Sequence, residues 1–192
     1  MIDAIALSII VALVRKGSIR RLGELDLRYT WIIFVSGFVM ALMFTKHLRW
    51  MAFVGDIAPI MHLVVYLTAI VVIVLNRHLP GMLLIGLGAL LNFAAISANG
   101  GKMPISYDAA KYARMEHVLT NDLARHCVID CNTKLYVLTD VIPLRRPPFP
   151  LPGVMSVGDI ILAIGLFILI QHGMCSPKKT AVELVARADP AG

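Results

Sequence analysis

Charge is scarce in this chain. Of its 192 residues only 16% are Asp, Glu, Lys or Arg, where a soluble domain carries about 25%. Cysteine numbers three, and no second close pair of metal ligands stands near His126-Cys127-x-x-x-Cys131 to complete the three or four donors of a zinc site. A phosphate-binding glycine loop, a serine-histidine-aspartate order and an inverted transporter-type repeat are all missing. The net charge of +6 is not gathered on an aromatic-rich soluble face, which argues against a nucleic-acid partner. What the chain has in place of these is apolar sequence: 58% of its residues are hydrophobic and its mean hydropathy is +0.79.

Ile57–Leu75, Leu79–Ala98 and the stretch 154–172 are apolar for about 18–20 residues each, the length an α-helix needs to cross a hydrocarbon core of roughly 30 Å. Trp31–Thr45 is a shorter run, flanked by Trp31 and Trp50 as interfacial anchors, with Lys46 and Arg49 placed to snorkel. Ile2–Val14 is shorter again. It has Asp3 and no preceding Lys or Arg, and no small-residue cleavage site follows, so it does not read as a signal peptide. The expectation is an all-α integral membrane protein with about five transmembrane helices. One bundle would occupy 1–176 (spans 2–14, 31–45, 57–75, 79–98 and 154–172), an extracytoplasmic loop 99–153, and a disordered cytoplasmic tail 177–192. Arg15, Lys16, Arg20, Arg21 and Arg28 crowd the first connection. The positive-inside bias therefore sets the amino terminus outside and the carboxyl terminus in the cytoplasm.

A loop of about 55 residues commonly carries function or its own secondary structure. Asn99-Gly100-Gly101 ends the fourth span in a tight turn. Ser106 is placed to cap a short amphipathic helix running through about Arg125, with Ala109, Tyr112, Ala113, Val118, Leu119 and Leu123 on its apolar face. Leu135–Leu144 reads as extended chain. Arg145-Arg146-Pro147-Pro148-Phe149-Pro150-Leu151-Pro152 is barred from helix by its prolines and reads as a stiff strap at the membrane surface. Cys127 and Cys131 fall in this loop, where a disulfide would survive. Their i, i+4 spacing requires a non-helical backbone to bridge. Cys175, at the inner end of the last span, reads as a free thiol.

Two carboxylates carry the chemical interest. Asp159 lies inside the last span, where an ionisable group is a functional candidate by default. Ser156-Val157-Gly158-Asp159 also matches a capping box, which accounts for an acid at that place equally well. Asp140 precedes Val141-Ile142-Pro143 on the extended segment. If the strap folds back to set Asp140 beside the last helix, the two could share a proton. One would then activate water while the protonated partner polarises a peptide carbonyl. Asn92, Asn99, Ser156 and Arg145 are the accompanying candidates for binding substrate. Each also has a plainer reading: interhelical hydrogen bonds for the asparagines, capping for Ser156 and lipid phosphate for Arg145. His62 reads as a packing or hydrogen-bonding residue in place of a haem ligand, Gly86 and Gly88 as close-packing positions, and the methionines as gap-fillers. No cofactor is expected.

The residues also carry two resemblances. Leu84-Ile-Gly-Leu-Gly-Ala-Leu-Leu-Asn92, Thr139-Asp140-Val141-Ile142 and Val157-Gly158-Asp159-Ile160-Ile161-Leu162-Ala163-Ile164-Gly165 resemble segments of the lipoprotein signal peptidases, four-span aspartic peptidases. That resemblance implies a catalytic dyad of Asp140 and Asp159. The family's Asn-x-x-Asp-Arg motif stands here as Asn92-Phe93-Ala94-Ala95-Ile96, without acid or arginine. A likeness over nearly the whole chain is to an uncharacterised family of small bacterial membrane proteins, carried by Asn99-Gly100-Gly101-Lys102-Met103-Pro104, Thr139-Asp140-Val141-Ile142-Pro143 and Ser156-Val157-Gly158-Asp159. It implies a multi-pass bacterial cell-membrane protein and no particular activity.

Three readings follow. The leading one is a non-enzymatic membrane subunit or scaffold. In that case Asp159 caps its helix and Asp140 pairs with Arg145 or Arg146. The alternatives are an intramembrane aspartic peptidase-like hydrolase using Asp140 and Asp159 at the outer surface, and small-molecule or lipid binding or transport. Whether the chain is an enzyme stays open at this point. The expected partners are the lipid bilayer, other membrane proteins or a membrane-anchored peptide.

Overall fold

The computed structural model describes residues 2–43, 52–115, 119, 126–145 and 152–176. In chain order these form α1 (Ile2–Val14), a one-turn α2 (Ile19–Leu22), α3 (Thr30–Met43), α4 (Ala52–Leu75), α5 (Met82–Ala98), β1 (Met103–Ile105), α6 (Tyr107–Tyr112), β2 (His126–Val128), a 3₁₀ turn (Tyr136–Leu138), β3 (Ile142–Leu144), β4 (Gly153–Met155) and α7 (Val157–Cys175). Each apolar stretch is helical, because uninterrupted apolar sequence satisfies its backbone internally only as helix when no partner strand is at hand. The chain is mostly helical. Two stretches, Ile57–Leu75 and Val157–Cys175, are long and apolar enough to cross a membrane by length and composition, while Asp3–Val14 and Met82–Ala98 are apolar and shorter.

The long helices pack in the order α1, α7, α5, α4, α3, so the last helix inserts between the first and the fifth. The α5–α7 pairing is the most extensive, and glycine makes it possible. Gly81 and Gly88 lie two turns apart along α5 and its entry, and Gly165 and Gly158 lie two turns apart on antiparallel α7. A Cβ on Gly165 would come within 2.6 Å of the Ile85 nitrogen, and one on Gly88 within 2.7 Å of the Leu162 nitrogen. Backbones this close gain dispersion contacts that larger residues would forbid. Gly86 faces the other way, where a Cβ would meet Ile73 Cγ2 of α4 at 3.1 Å. α1 is joined to α7 by polar bonds as well: Gln171 Nε2 donates to the Ser8 carbonyl (2.7 Å), and Arg15 Nη1 donates to Gln171 Oε1 (2.9 Å). Just past the end of α4, Asn76 donates to and accepts from the backbone of Arg28, both at 2.7 Å, and so fixes the first connection.

Over the opposite end of the bundle sits a small β cap, which corrects the all-α expectation. β1 pairs with β2 in parallel. The other edge of β1 takes Asp140, whose N–H donates to Pro104 O and whose carbonyl accepts from Ser106 N–H, both at 2.9 Å. Pro104 is tolerated in a strand with both edges in use because this pairing asks only for its carbonyl. β3 and β4 form an antiparallel ribbon in register Ile142↔Met155, Pro143↔Val154 and Leu144↔Gly153.

Several boundaries differ from the sequence reading. The helix expected over Ser106–Arg125 begins as expected, with Ser106 Oγ accepting from Ala109 N–H, but it ends at Tyr112. Arg114 takes a positive φ of 59°, a conformation that stops a helix of L-residues. Leu135–Leu144 is not extended throughout, since Leu135 turns left-handed (φ 53°) into the 3₁₀ turn. The last helix starts at Val157 because residues 153–155 pair as β4. The strap 146–151, the rest of the predicted amphipathic helix (116–118 and 120–125), the end of the second span and the tail 177–192 lie outside the described residues.

Candidate active site

Between the β cap and the bundle lies a partly open cavity of about 270 Å³, lined by His62, Tyr66, Asn92, Ile96, Met103, His126, Asp140, Val154 and Asp159. Both candidate carboxylates face it. Asp159 arrives on the first turn of α7 through a complete capping box: Ser156 Oγ accepts from Asp159 N–H at 3.0 Å, and Asp159 Oδ2 accepts from Ser156 N–H at 3.2 Å. Its second oxygen, Oδ1, accepts from Asn92 Nδ2 at 2.8 Å, while Ser156 Oγ donates to Asn92 Oδ1 at 2.9 Å. Asn92 and Ser156 are buried, so this closed ring holds the Asp159 carboxylate in one orientation. The cap spends one oxygen and leaves Asp159 lining the cavity.

Asp140 gets there by another route. The β3–β4 ribbon pairs Ile142, two residues after Asp140, with Met155, two residues before α7, and so carries the Asp140 segment toward the start of that helix. The bridge to Ile105 then fixes its backbone. Its side chain is only 9% exposed. Oδ2 lies 3.9 Å from His126 Nε2, and Oδ1 is buried without a hydrogen-bond partner among the described residues. Burial first, and the nearby Asp159 charge second, push the Asp140 carboxyl up from 3.8 to about 8. A buried acid of this kind is neutral at neutral pH and is able to donate a hydrogen bond.

The remaining lining was not foreseen as a site. His62 and Tyr66 are one turn apart on α4, with ring centroids 5.4 Å apart in an edge-on arrangement, and His62 Nδ1 contacts Gly101 O at 3.0 Å. The close approach of Gly101 to α4 seats the start of the β cap: with φ +82°, a Cβ there would lie 2.7 Å from the Pro59 carbonyl oxygen. His126 and Cys127 alternate across β2, and of the two only His126 lines the cavity. Cys127, Cys131 and Cys175 are free thiols, so the possible Cys127–Cys131 disulfide is absent. Burial pushes the Cys127 thiol up, away from thiolate reactivity.

Two of the proposed binding residues are not brought to the cavity. Asn99 clamps the loop that follows α5, with Nδ2 donating to Lys134 O and Oδ1 accepting from Lys134 N–H, both at 2.9 Å. It fixes backbone at this end of the bundle as Asn76 does at the other. The Arg145 guanidinium lies over the Tyr112 ring, 5.4 Å from its centroid, and not against Asp140. Arg146 lies outside the described residues.

An uncharacterized protein of Thermotoga maritima is 37% identical over 93 residues, covering 48% of this chain and 52% of the relative. The chain thus spans about half the length of the curated relative it matches. No solved structure matches. The family described as "Family of unknown function (DUF5317)" matches residues 24–171, a stretch containing every residue that lines the cavity. The chain belongs to that family.

Proposed function

We propose that this is a multi-pass helical membrane protein whose outer-end cavity performs two-carboxylate acid–base hydrolysis, with a peptide bond at the membrane surface as the best-fitting substrate. The observation that carries the reading is that Asp140 and Asp159, supplied by separate segments, face one cavity in unlike environments. Water, activated by the hydrogen-bonded Asp159 carboxylate, gives up a proton to it and attacks the carbonyl carbon. Protonated Asp140 donates to the carbonyl oxygen, and collapse of the tetrahedral adduct returns a proton to the departing nitrogen. Asp140 Oδ1, which has no partner among the described residues, gains one when an amide enters. The resemblance of the Asp140 and Asp159 segments to those of lipoprotein signal peptidases supports the same reading.

Membrane residence draws support from the apolar helices and from the large apolar side chains they turn outward, among them Leu7, Ile10, Phe34, Ile60, Leu67 and Leu83. Helices apolar all round suit lipid better than water. The basic first connection supports an orientation with the cavity on the extracytoplasmic side. A membrane-impermeant maleimide applied to intact cells then labels exposed Cys131 and spares Cys175. Labelling of Cys131 only after the cells are opened would overturn the orientation.

The test of activity is cleavage of fluorogenic peptides with an apolar helical stretch after the scissile bond, using the full chain in liposomes. Asp140→Asn and Asp159→Asn are each expected to lose at least about 100-fold, the usual worth of a general acid or base. Equal rates in wild type and both variants would sink the reading. The scaffold reading keeps one observation in its favour, the complete capping box at Asp159. Under it, both variants keep the protein's membrane partners and neither changes any hydrolysis.

A further inference from the structure

We propose that His126 is the proton partner of Asp140, a positioning residue that exchanges protons with outside water and sets the protonation of the buried carboxyl. The inference rests on the two-carboxylate reading above and names a third residue for it. Met103 pairs with His126 across β1–β2, and Ile105 bridges Asp140 on the other edge. Residues 103 and 105 share a face by strand alternation, so the cap presents His126 and Asp140 on one side, toward the bundle. Their Nε2–Oδ2 separation of 3.9 Å is ion-pair distance, beyond a direct hydrogen bond. The His126 side chain is 23% exposed against 9% for Asp140, so water reaches the imidazole more readily than the carboxyl.

The step balances simply. By way of one water between them, an imidazolium passes its Nε2 proton on to Asp140 Oδ2, and a charged pair becomes a neutral imidazole and a neutral acid. Two groups that exchange one proton lose their protons as a coupled pair. The other titratable groups lining the cavity are His62 and Tyr66 from α4 and Asp159 from α7. α5, β1 and β4 contribute Asn92, Ile96, Met103 and Val154, none of which titrates. His62 meets a carbonyl through Nδ1, and Asp159 disfavours a second negative charge. Within this set, His126 is the cation source in ion-pair contact with Asp140.

The experiment is labelling of the full-length protein in liposomes with dicyclohexylcarbodiimide, which adds to protonated carboxyls in apolar surroundings. Labelling is read at Asp140 by peptide mass spectrometry across the pH range. In wild type it should fall in two steps as pH rises. In His126→Gln, which keeps a polar group but has no titratable proton, it should fall in one step, with the midpoint higher by about one unit, tenfold in proton activity. Coincident profiles in a folded variant overturn the proposal. Should His126→Gln fail to fold, carbon-detected NMR of Asp140 and nitrogen-detected NMR of His126 in wild type decide it. Shared midpoints support the pair, and two independent single midpoints overturn it. Neither readout needs a substrate, so the pairing can fail while hydrolysis stands, and hydrolysis can fail while the pairing stands.

Discussion

Asp140 and Asp159 face one cavity from regions built in opposite ways. Asp159 sits on a helix end that satisfies it: both oxygens accept hydrogen bonds, and Asn92 and Ser156 close the ring behind it. Asp140 sits on a short sheet that fixes its backbone and leaves one oxygen without a partner among the described residues. The helix end is a stable place for a charge. The sheet edge is a costly one, and the cost is met by keeping a proton. The same residue type thus meets two unlike environments, set by the backbone around it.

The sharpest way to break this contrast is to remove the titration of Asp140. Its folded-state value is raised from 3.8 to about 8. Below about pH 4 the group is neutral folded and unfolded, and costs nothing. Above that the unfolded chain ionises freely while the folded one holds its proton. Stability therefore falls with pH until about pH 8 and then levels off. Asp140→Asn keeps the shape and cannot ionise, so it should be more stable than wild type at pH 8, on the order of a few kcal/mol. The gap should shrink toward pH 5. Parallel melting curves for the two proteins at pH 5 and pH 8 would show that Asp140 titrates as an ordinary surface acid.

A smaller effect is expected from the other side. A Cβ on Gly158 runs into the Asn92 side chain and meets the Gly88 carbonyl oxygen at 2.8 Å. Gly158→Ala should cost about 1–3 kcal/mol, as overpacking does, and should displace Asn92 from Asp159. Because the Asp140 side of the cavity does not use Gly158, carbodiimide labelling of Asp140 should persist in this variant. Its loss would mean that the two regions are not separable.

Much of the helix-end region was legible in the sequence, and little of the sheet region was. Long apolar runs fix where α4, α5 and α7 lie, and Ser156-Val157-Gly158-Asp159 announces its own cap, because both signals are local. Gly88 follows from the same logic of close packing. Asp140 depends on three-residue strands, too short to show any alternation and set in register only by tertiary contacts, and on a bridge to Ile105 far back in the chain. His126 was read with Cys127 as one motif, yet strand alternation sends only the histidine to the cavity. Tyr66 lay unmarked in an apolar run. Asn92 and Asn99, seven residues apart on one helix, looked equivalent. Only the structure separates the one that holds Asp159 from the one that clamps the Lys134 backbone.

The mildest test concerns the ring itself. Ser156 Oγ makes two bonds, accepting from Asp159 N–H and donating to Asn92 Oδ1. The cap alone is worth about 1 kcal/mol, so Ser156→Ala should lose about that much stability. The second bond has a different consequence. With no donor facing Oδ1, the Asn92 amide is free to turn, and Asp159 then loses the Nδ2 donor that fixes its orientation. Ser156→Thr keeps a hydroxyl and should restore both bonds. If Ser156→Ala lowers hydrolysis more than its loss of stability accounts for and Ser156→Thr recovers it, the ring positions the base. If both variants track stability alone, Ser156 is a helix cap and the orientation of Asp159 comes from Asn92 without it.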